Sequence, residues 1–242
     1  MTTNSIDSSQ RRAATIAGLA CLVSFVTVVS VNFGIFARLI VGTDPALTAR
    51  NILAHEALFR VGIAGDVLYC IAVLVLSAAL YIVLKPVNQH LAVLAALGRM
   101  AHGFTWLLVT VNLLTALRLL SRPEYARAFS PEQLAALSRL YLSGFDQYYV
   151  GLVFWSLGAT VGAWLWFKSA YIPRALAVFG GLASAWCAAC TFALFLFPDF
   201  PGIVNLWWFD TPMVLFEITL SFLLLFRGLR PPRPNSTERV AR

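Results

Sequence analysis

One carboxylate stands in the most apolar part of this chain. Glu217 lies in "TPMVLFEITLSFLLLF", with no charged residue close to it in sequence. An acid in such surroundings is held either by a cation or by its own proton. In the second state it can donate or accept that proton in a reaction. A candidate cation is Arg99. At 100° per residue, Arg99, His102, Trp106 and Thr110 fall within an arc of about 80° on one helix face. Asp66 shares a second stripe with Cys70 and Ser77, and Asp210, Met213, Glu217 and Ser221 share a third. Glu56 and Arg60 are four residues apart and can pair along a helix. Asp146 and Tyr149 open a further apolar stretch that contains Trp155. Acids, an arginine and indole rings together suit acid/base chemistry in which ring faces stabilise developing positive charge.

Composition sets the solvent these groups meet. The chain has 242 residues, of which 60% are hydrophobic and 12% charged, and its mean hydropathy is +0.78. Soluble domains carry about 25% charged residues. One core of this size cannot hide so much apolar side chain, so the surplus faces lipid. Runs of about 20 apolar residues, long enough to cross the hydrocarbon core, occur near 14–41, 61–84, 91–118, 145–167, 174–197 and 206–226. The expected fold is all-α, a polytopic transmembrane bundle of six helices. Residues 1–13 form an N-terminal segment, 14–226 the transmembrane domain and 227–242 a basic tail. A transmembrane barrel would show short alternating segments instead. The first run is longer than a signal-peptide core and reads as a retained helix.

Ten Lys and Arg residues, among them Arg11, Arg12, Lys85, Lys168 and Arg174, fall at the two termini and on the connections of their side. Seven arginines fall on the other side, mixed with acids. This bias places both termini in the cytoplasm of a cell whose inner membrane the chain crosses. The net charge of +7 resides largely in "RGLRPPRPNSTERVAR", a tail expected to be disordered beside anionic headgroups. The expected partners are therefore membrane lipids and a lipophilic small molecule. No nucleic-acid partner is expected, because no basic surface with interleaved aromatics is present.

The connections around Lys85–Asn88 and Lys168–Arg174 are short, which makes adjacent spans antiparallel neighbours. Between spans three and four, Ser130, Pro131 and Gln133 form a helix-start signature. Leu134, Leu137, Leu140 and Tyr141 then predict one apolar face of a short interfacial helix. Trp207 and Trp208 belong at headgroup level. Gly158 and Gly162 predict close helix contact in the fourth span.

At about 15 Å from either interface, an ionised Glu217 costs on the order of 2–3 kcal/mol or more. It must therefore face the bundle. Three antiparallel helices are expected to bring Asp66, Arg99, His102 and Glu217 to comparable depths. One carboxylate, Glu217 or Asp66, neutralises Arg99, and the other is left as a proton donor or acceptor. A pair that only fixes helix register is the plain alternative. No cofactor or metal is expected. His55 and His90 lie at opposite membrane faces from one another, and the only lysines, Lys85 and Lys168, sit at helix ends, which excludes a retinal Schiff base. Cys187 and Cys190, one turn apart in "WCAAC", read as small packing residues.

The segments "ARNILAHEALFRVGIAGDVL", "LYIVLKPVNQHLAVLAALGRM" and "YVGLVFWSLGATVGAWLWFKSAYIPRALAVFGGLA", with the acid of "FEITL", resemble a family of bacterial six-helix membrane proteins. It is catalogued as a domain of unknown function, number four-three-eight-six. Asn51, Glu56, Arg60, Asp66, Lys85, Pro86, Arg99, Lys168, Pro173 and Glu217 match its pattern, whereas His55 and His102 depart from it. The resemblance implies the fold and a membrane location and supplies no reaction. From the residues themselves, the expected function is a membrane-embedded enzyme acting on a lipid or isoprenoid-like substrate. Glu217 and Asp66 would be its acids, and Arg99, His102, Trp106, Arg60, Glu56, Asp146 and Trp155 would bind substrate. A proton-coupled carrier and a non-catalytic membrane partner are the alternatives.

Overall fold

The computed structural model describes residues 6–143, 145–197 and 199–231, with the side chains of residues 145–147 and 201 excepted. Residues 232–242 of the expected tail lie outside the described residues. Six helices are long and apolar enough to span a membrane: Ser8–Leu39, Glu56–Leu84, Gln89–Ser121, Tyr148–Ser169, Arg174–Leu196 and Leu206–Phe226. No strand is present among the described residues. The architecture is the all-α bundle that the apolar runs predict.

Local chemistry explains where the spans begin and end. The first starts at Ser8, earlier than its apolar run, because Asp7 accepts from the Gln10 backbone N–H at 2.7 Å and Gln10 returns the bond at 3.3 Å. Near its outer end it widens into a π-helical stretch, Ser30–Phe36. Asn88 caps the third span by accepting from the Leu91 N–H at 3.0 Å. The sixth contains Pro212, which has no N–H to give the Trp208 carbonyl one turn back. The indole of Trp186, on the fifth span, donates to that carbonyl at 3.4 Å instead. Gly228, at φ +66°, then stops the sixth span with its N–H bonded to the Leu223 carbonyl at 3.0 Å.

The spans close into a ring. Each packs on the next in sequence order, and the sixth packs on both the fifth and the first. Short links and antiparallel neighbours produce this order, and six crossings put both termini on one face with Lys85 and Lys168. We call that face inner. The third and sixth spans stand opposite each other across the ring. Spans three and four touch backbone to backbone: a Cβ on Gly98 would lie 2.6 Å from the Phe154 carbonyl, and one on Gly158 2.9 Å from that of Ala95. Gly162, the other glycine of the predicted contact motif, meets only Ala95 Cβ at 3.9 Å. Its spacing is right, but it lies beyond the point of closest approach.

Short helices lie on the outer connections, among them Pro45–Ala54, Pro123–Ala128 and Pro131–Leu142. The last has the expected cap, with Ser130 accepting from the Gln133 N–H at 3.3 Å and Gln133 accepting from the Ser130 N–H at 2.9 Å. Its inward face differs from the predicted one. Leu134, Ala135, Ser138 and Leu142 are buried, while Leu140 is 69% exposed. The helix packs against the third span and against Pro45–Ala54, and that contact turns it about its axis. Trp207 and Trp208 are exposed at the start of the sixth span, as an aromatic belt requires.

Candidate functional site

The deepest charges in the bundle form one pair. Arg99, ten residues into the third span, reaches across the ring and donates through Nη2 to Glu217 Oε1. Only a long cationic side chain could close that gap from the opposite helix. The side chains of the two residues are 10% and 7% exposed. Trp155 lies beneath the guanidinium, whose carbon is 5.8 Å from the ring centroid. The Cys21 thiol of the first span is 3.9 Å from Glu217 Oε2. Ser221 spends its hydroxyl on the Glu217 carbonyl at 2.7 Å. On the inner side of the pair a cavity of about 30 Å³ is lined by Ser77, Tyr81, Ala92, Trp166 and Leu220, among others. That volume admits a water or two.

A second tier lies outward of the pair. Asp66, 1% exposed, packs beside Cys70 and Trp106. The Tyr69 hydroxyl is 2.9 Å from His102 Nε2. The Tyr148 hydroxyl donates to Asp210 Oδ2 at 2.8 Å. The rings interlock, with centroids 5.0 Å apart for Tyr69–Trp106, 5.6 Å for Trp106–Tyr148 and 4.9 Å for His102–Trp155. Five buried polar atoms in this tier make no hydrogen bond of normal geometry, although Trp106 faces Asp66 and the Gly151 backbone faces His102: Asp66 Oδ1, His102 Nδ1, Trp106 Nε1, Trp155 Nε1 and Asp210 Oδ1. Trp106 is within electrostatic reach of Asp66, yet the indole N–H and Asp66 Oδ1 do not close a bond of normal geometry. So many orphaned atoms in one place are uncommon in a native interior.

The expectation of one common depth therefore fails. Counting along the helices at 1.5 Å per residue, Arg99 and Glu217 lie about 15 Å from the inner ends of their spans, and Asp66 about 27 Å. The cause is direction: span two runs outside to inside and span three the reverse. Ten residues from the start is thus outer on one and inner on the other. Glu217, rather than Asp66, takes Arg99. His102 and Trp106 line the outer tier, and Trp155 joins the two tiers. Glu56 and Arg60 do pair, with Arg60 Nε 2.8 Å from Glu56 Oε1, but they are exposed at the outer rim, apart from both tiers. The side chain of Asp146 lies outside the described residues. Tyr69, Tyr148 and Asp210 belong to the site although none was among the predicted site residues. Among the described residues no group of three or more His, Cys, Asp or Glu side chains could hold a metal.

Residues 16–228 match the family described as Domain of unknown function, DUF4386. No curated protein and no solved structure matches the chain. The match spans most of the sequence and all six helices, so the chain belongs to that family.

Proposed function

We propose that this member of the DUF4386 family is a membrane-embedded enzyme that uses Asp66 as the acid or base in chemistry on a lipophilic substrate, a lipid or an isoprenoid-like molecule. One observation carries the reading: among the described residues the interior holds three carboxyls, Asp66, Asp210 and Glu217, against a single buried arginine, and Arg99 is committed to Glu217. Among the described residues Asp66 is left buried with no ion-pair partner, beside Cys70 and Trp106. A carboxyl so placed holds or passes a proton, and ring faces beside it stabilise positive charge that develops on a hydrocarbon. Glu217 becomes a positioning residue, which keeps the guanidinium of Arg99 fixed beside the Trp155 ring. The Lys and Arg bias supports an inner face in the cytoplasm, in keeping with an inner-membrane protein.

The experiment is organic extraction and mass spectrometry of the purified protein, with wild type compared against Asp66→Asn. A specific lipophilic compound that is retained or converted by one and lost by the other supports the reading. Bulk lipid alone in both refutes it and leaves a structural role for these charges. A second reading, a proton-coupled carrier, draws on a different observation. The ionisable groups form a file along the ring axis, from Asp210 and Tyr148 through Tyr69 and His102 to Arg99–Glu217 and the inner cavity. Proton uptake by reconstituted vesicles, driven by a substrate gradient and abolished by Asp210→Asn, would favour it.

A further inference from the structure

We infer that the outer tier recognises a lipophilic organic cation, an amine or ammonium head on an apolar body. This rests on the proposed lipophilic-substrate site and names its chemical class. The first ground is charge. Asp66 and Asp210 are both interior, and among the described residues neither forms an ion pair. The buried guanidinium of Arg99 is already taken by Glu217, so among the described residues no buried cation is left for these acids.

The second ground is geometry. Asp66 adjoins Trp106, the Trp106 ring stands against that of Tyr148 at 83°, and the Tyr148 hydroxyl holds Asp210. Two carboxyls thus bracket one aromatic corner, and each has a buried Oδ1 with no hydrogen-bond partner. An ammonium group carries the N–H donors those oxygens lack, and rings set edge to face present it with π faces. The third ground is access. Asp210 and Tyr148 are only half-buried, whereas Asp66 and His102 are fully buried. A ligand therefore reaches this corner from the Asp210 and Tyr148 side. An anion would face two acids, and among the described residues a bare divalent metal would lack a third ligand of its usual kind.

The test uses the full chain, purified in a neutral detergent near pH 7, with decylamine, decanol and decanoate as probes of one chain length. Decylamine is expected to raise the melting temperature and to change tryptophan fluorescence in a saturable way, and decanol and decanoate are not. Asp210→Asn, at the half-buried mouth, should weaken decylamine binding by on the order of thirtyfold or more, as loss of a desolvated charge partner does. Asp66→Asn should do the same, and Tyr148→Phe, which keeps the ring, should weaken it less. If decanol binds as tightly as decylamine and Asp66→Asn abolishes both, the cation inference falls and the lipophilic site stands. If Asp210→Asn and Asp66→Asn bind decylamine like wild type, the inference falls. If no probe binds saturably, both readings fall.

Discussion

Removing one member of the Arg99–Glu217 pair should damage the fold more than removing both. The pair is nearly dry, with side-chain exposures of 10% and 7%, so a lone charge left behind keeps its desolvation cost without its partner. Breaking a buried pair costs about 3–5 kcal/mol, whereas replacing both members with apolar residues is neutral or even stabilising by about 1–4 kcal/mol. The two single variants should also differ. In Arg99→Met the stranded Glu217 can take up a proton and become neutral. In Glu217→Leu the stranded guanidinium cannot lose its charge. The cavity beside the pair admits a water, which moves both figures toward the low end. At roughly 2–4 °C per kcal/mol for a chain of this size, Glu217→Leu should lower the melting temperature by about 6–20 °C. Arg99→Met should lower it less, and the double variant hardly at all. Thermal unfolding in detergent, followed by circular dichroism on all four forms, closes the cycle. Additive losses, or an Arg99→Met loss equal to that of Glu217→Leu, would refute the account of the pair.

Three further outcomes test the fold around the site. Gly98→Ala should cost about 1–3 kcal/mol, because the new methyl would meet the Phe154 carbonyl at 2.6 Å and Gly158 Cα at 3.0 Å. Gly162→Ala, with 3.9 Å of room, should leave the melting temperature unchanged. Trp186→Phe should cost about 0.5–1.5 kcal/mol in chemical unfolding through the lost bond to the Trp208 carbonyl. The loss should shrink in a Pro212→Ala background, where that carbonyl regains its own helical donor. Ser130→Ala should cost about 0.5–2 kcal/mol, read as faster hydrogen exchange in Pro131–Leu142, with no effect on what the protein retains on extraction.

What could be read from the sequence was what hydropathy and helix-end chemistry encode. The spans are hydropathic features, and their ends fell within a few residues of the apolar runs. The outer helix Pro45–Ala54 was missed although its signal is the one that revealed Pro131–Leu142. Asp44 caps it by accepting from the Leu47 N–H at 2.8 Å, and Pro45 follows the cap. The π-helical stretch Ser30–Phe36 has no local signature, because it arises from packing: Val31 and Phe36 sit over Gly65 and Gly62 of the second span. Arg99 and Glu217 were legible as a candidate pair because charge in lipid demands neutralisation. The choice between Glu217 and Asp66 was not, since it depends on which helix stands opposite Arg99. Tyr69 and Tyr148 carry no formal charge, so burial alone gave them no prominence, and Asp210 reads equally well as a headgroup-level acid.

The antiparallel ring converts sequence position into depth, and depth together with burial separates the roles of three similar acids. Glu217 lies where the opposite helix offers a guanidinium, so its charge is satisfied within the chain. Asp210 lies near the outer end, where a tyrosine hydroxyl satisfies one oxygen and the outer side is within reach. Asp66 has neither an internal cation nor an open side, and it is the member whose burial the fold does not explain. An interior selected only for stability would have replaced it, because an unpaired acid in a dry aromatic cluster costs free energy that an apolar side chain would not. The charges of Arg99 and Glu217, which join the third span to the sixth across the ring, at least satisfy one another within the chain. That leaves Asp66 as the residue on which a functional explanation has to rest.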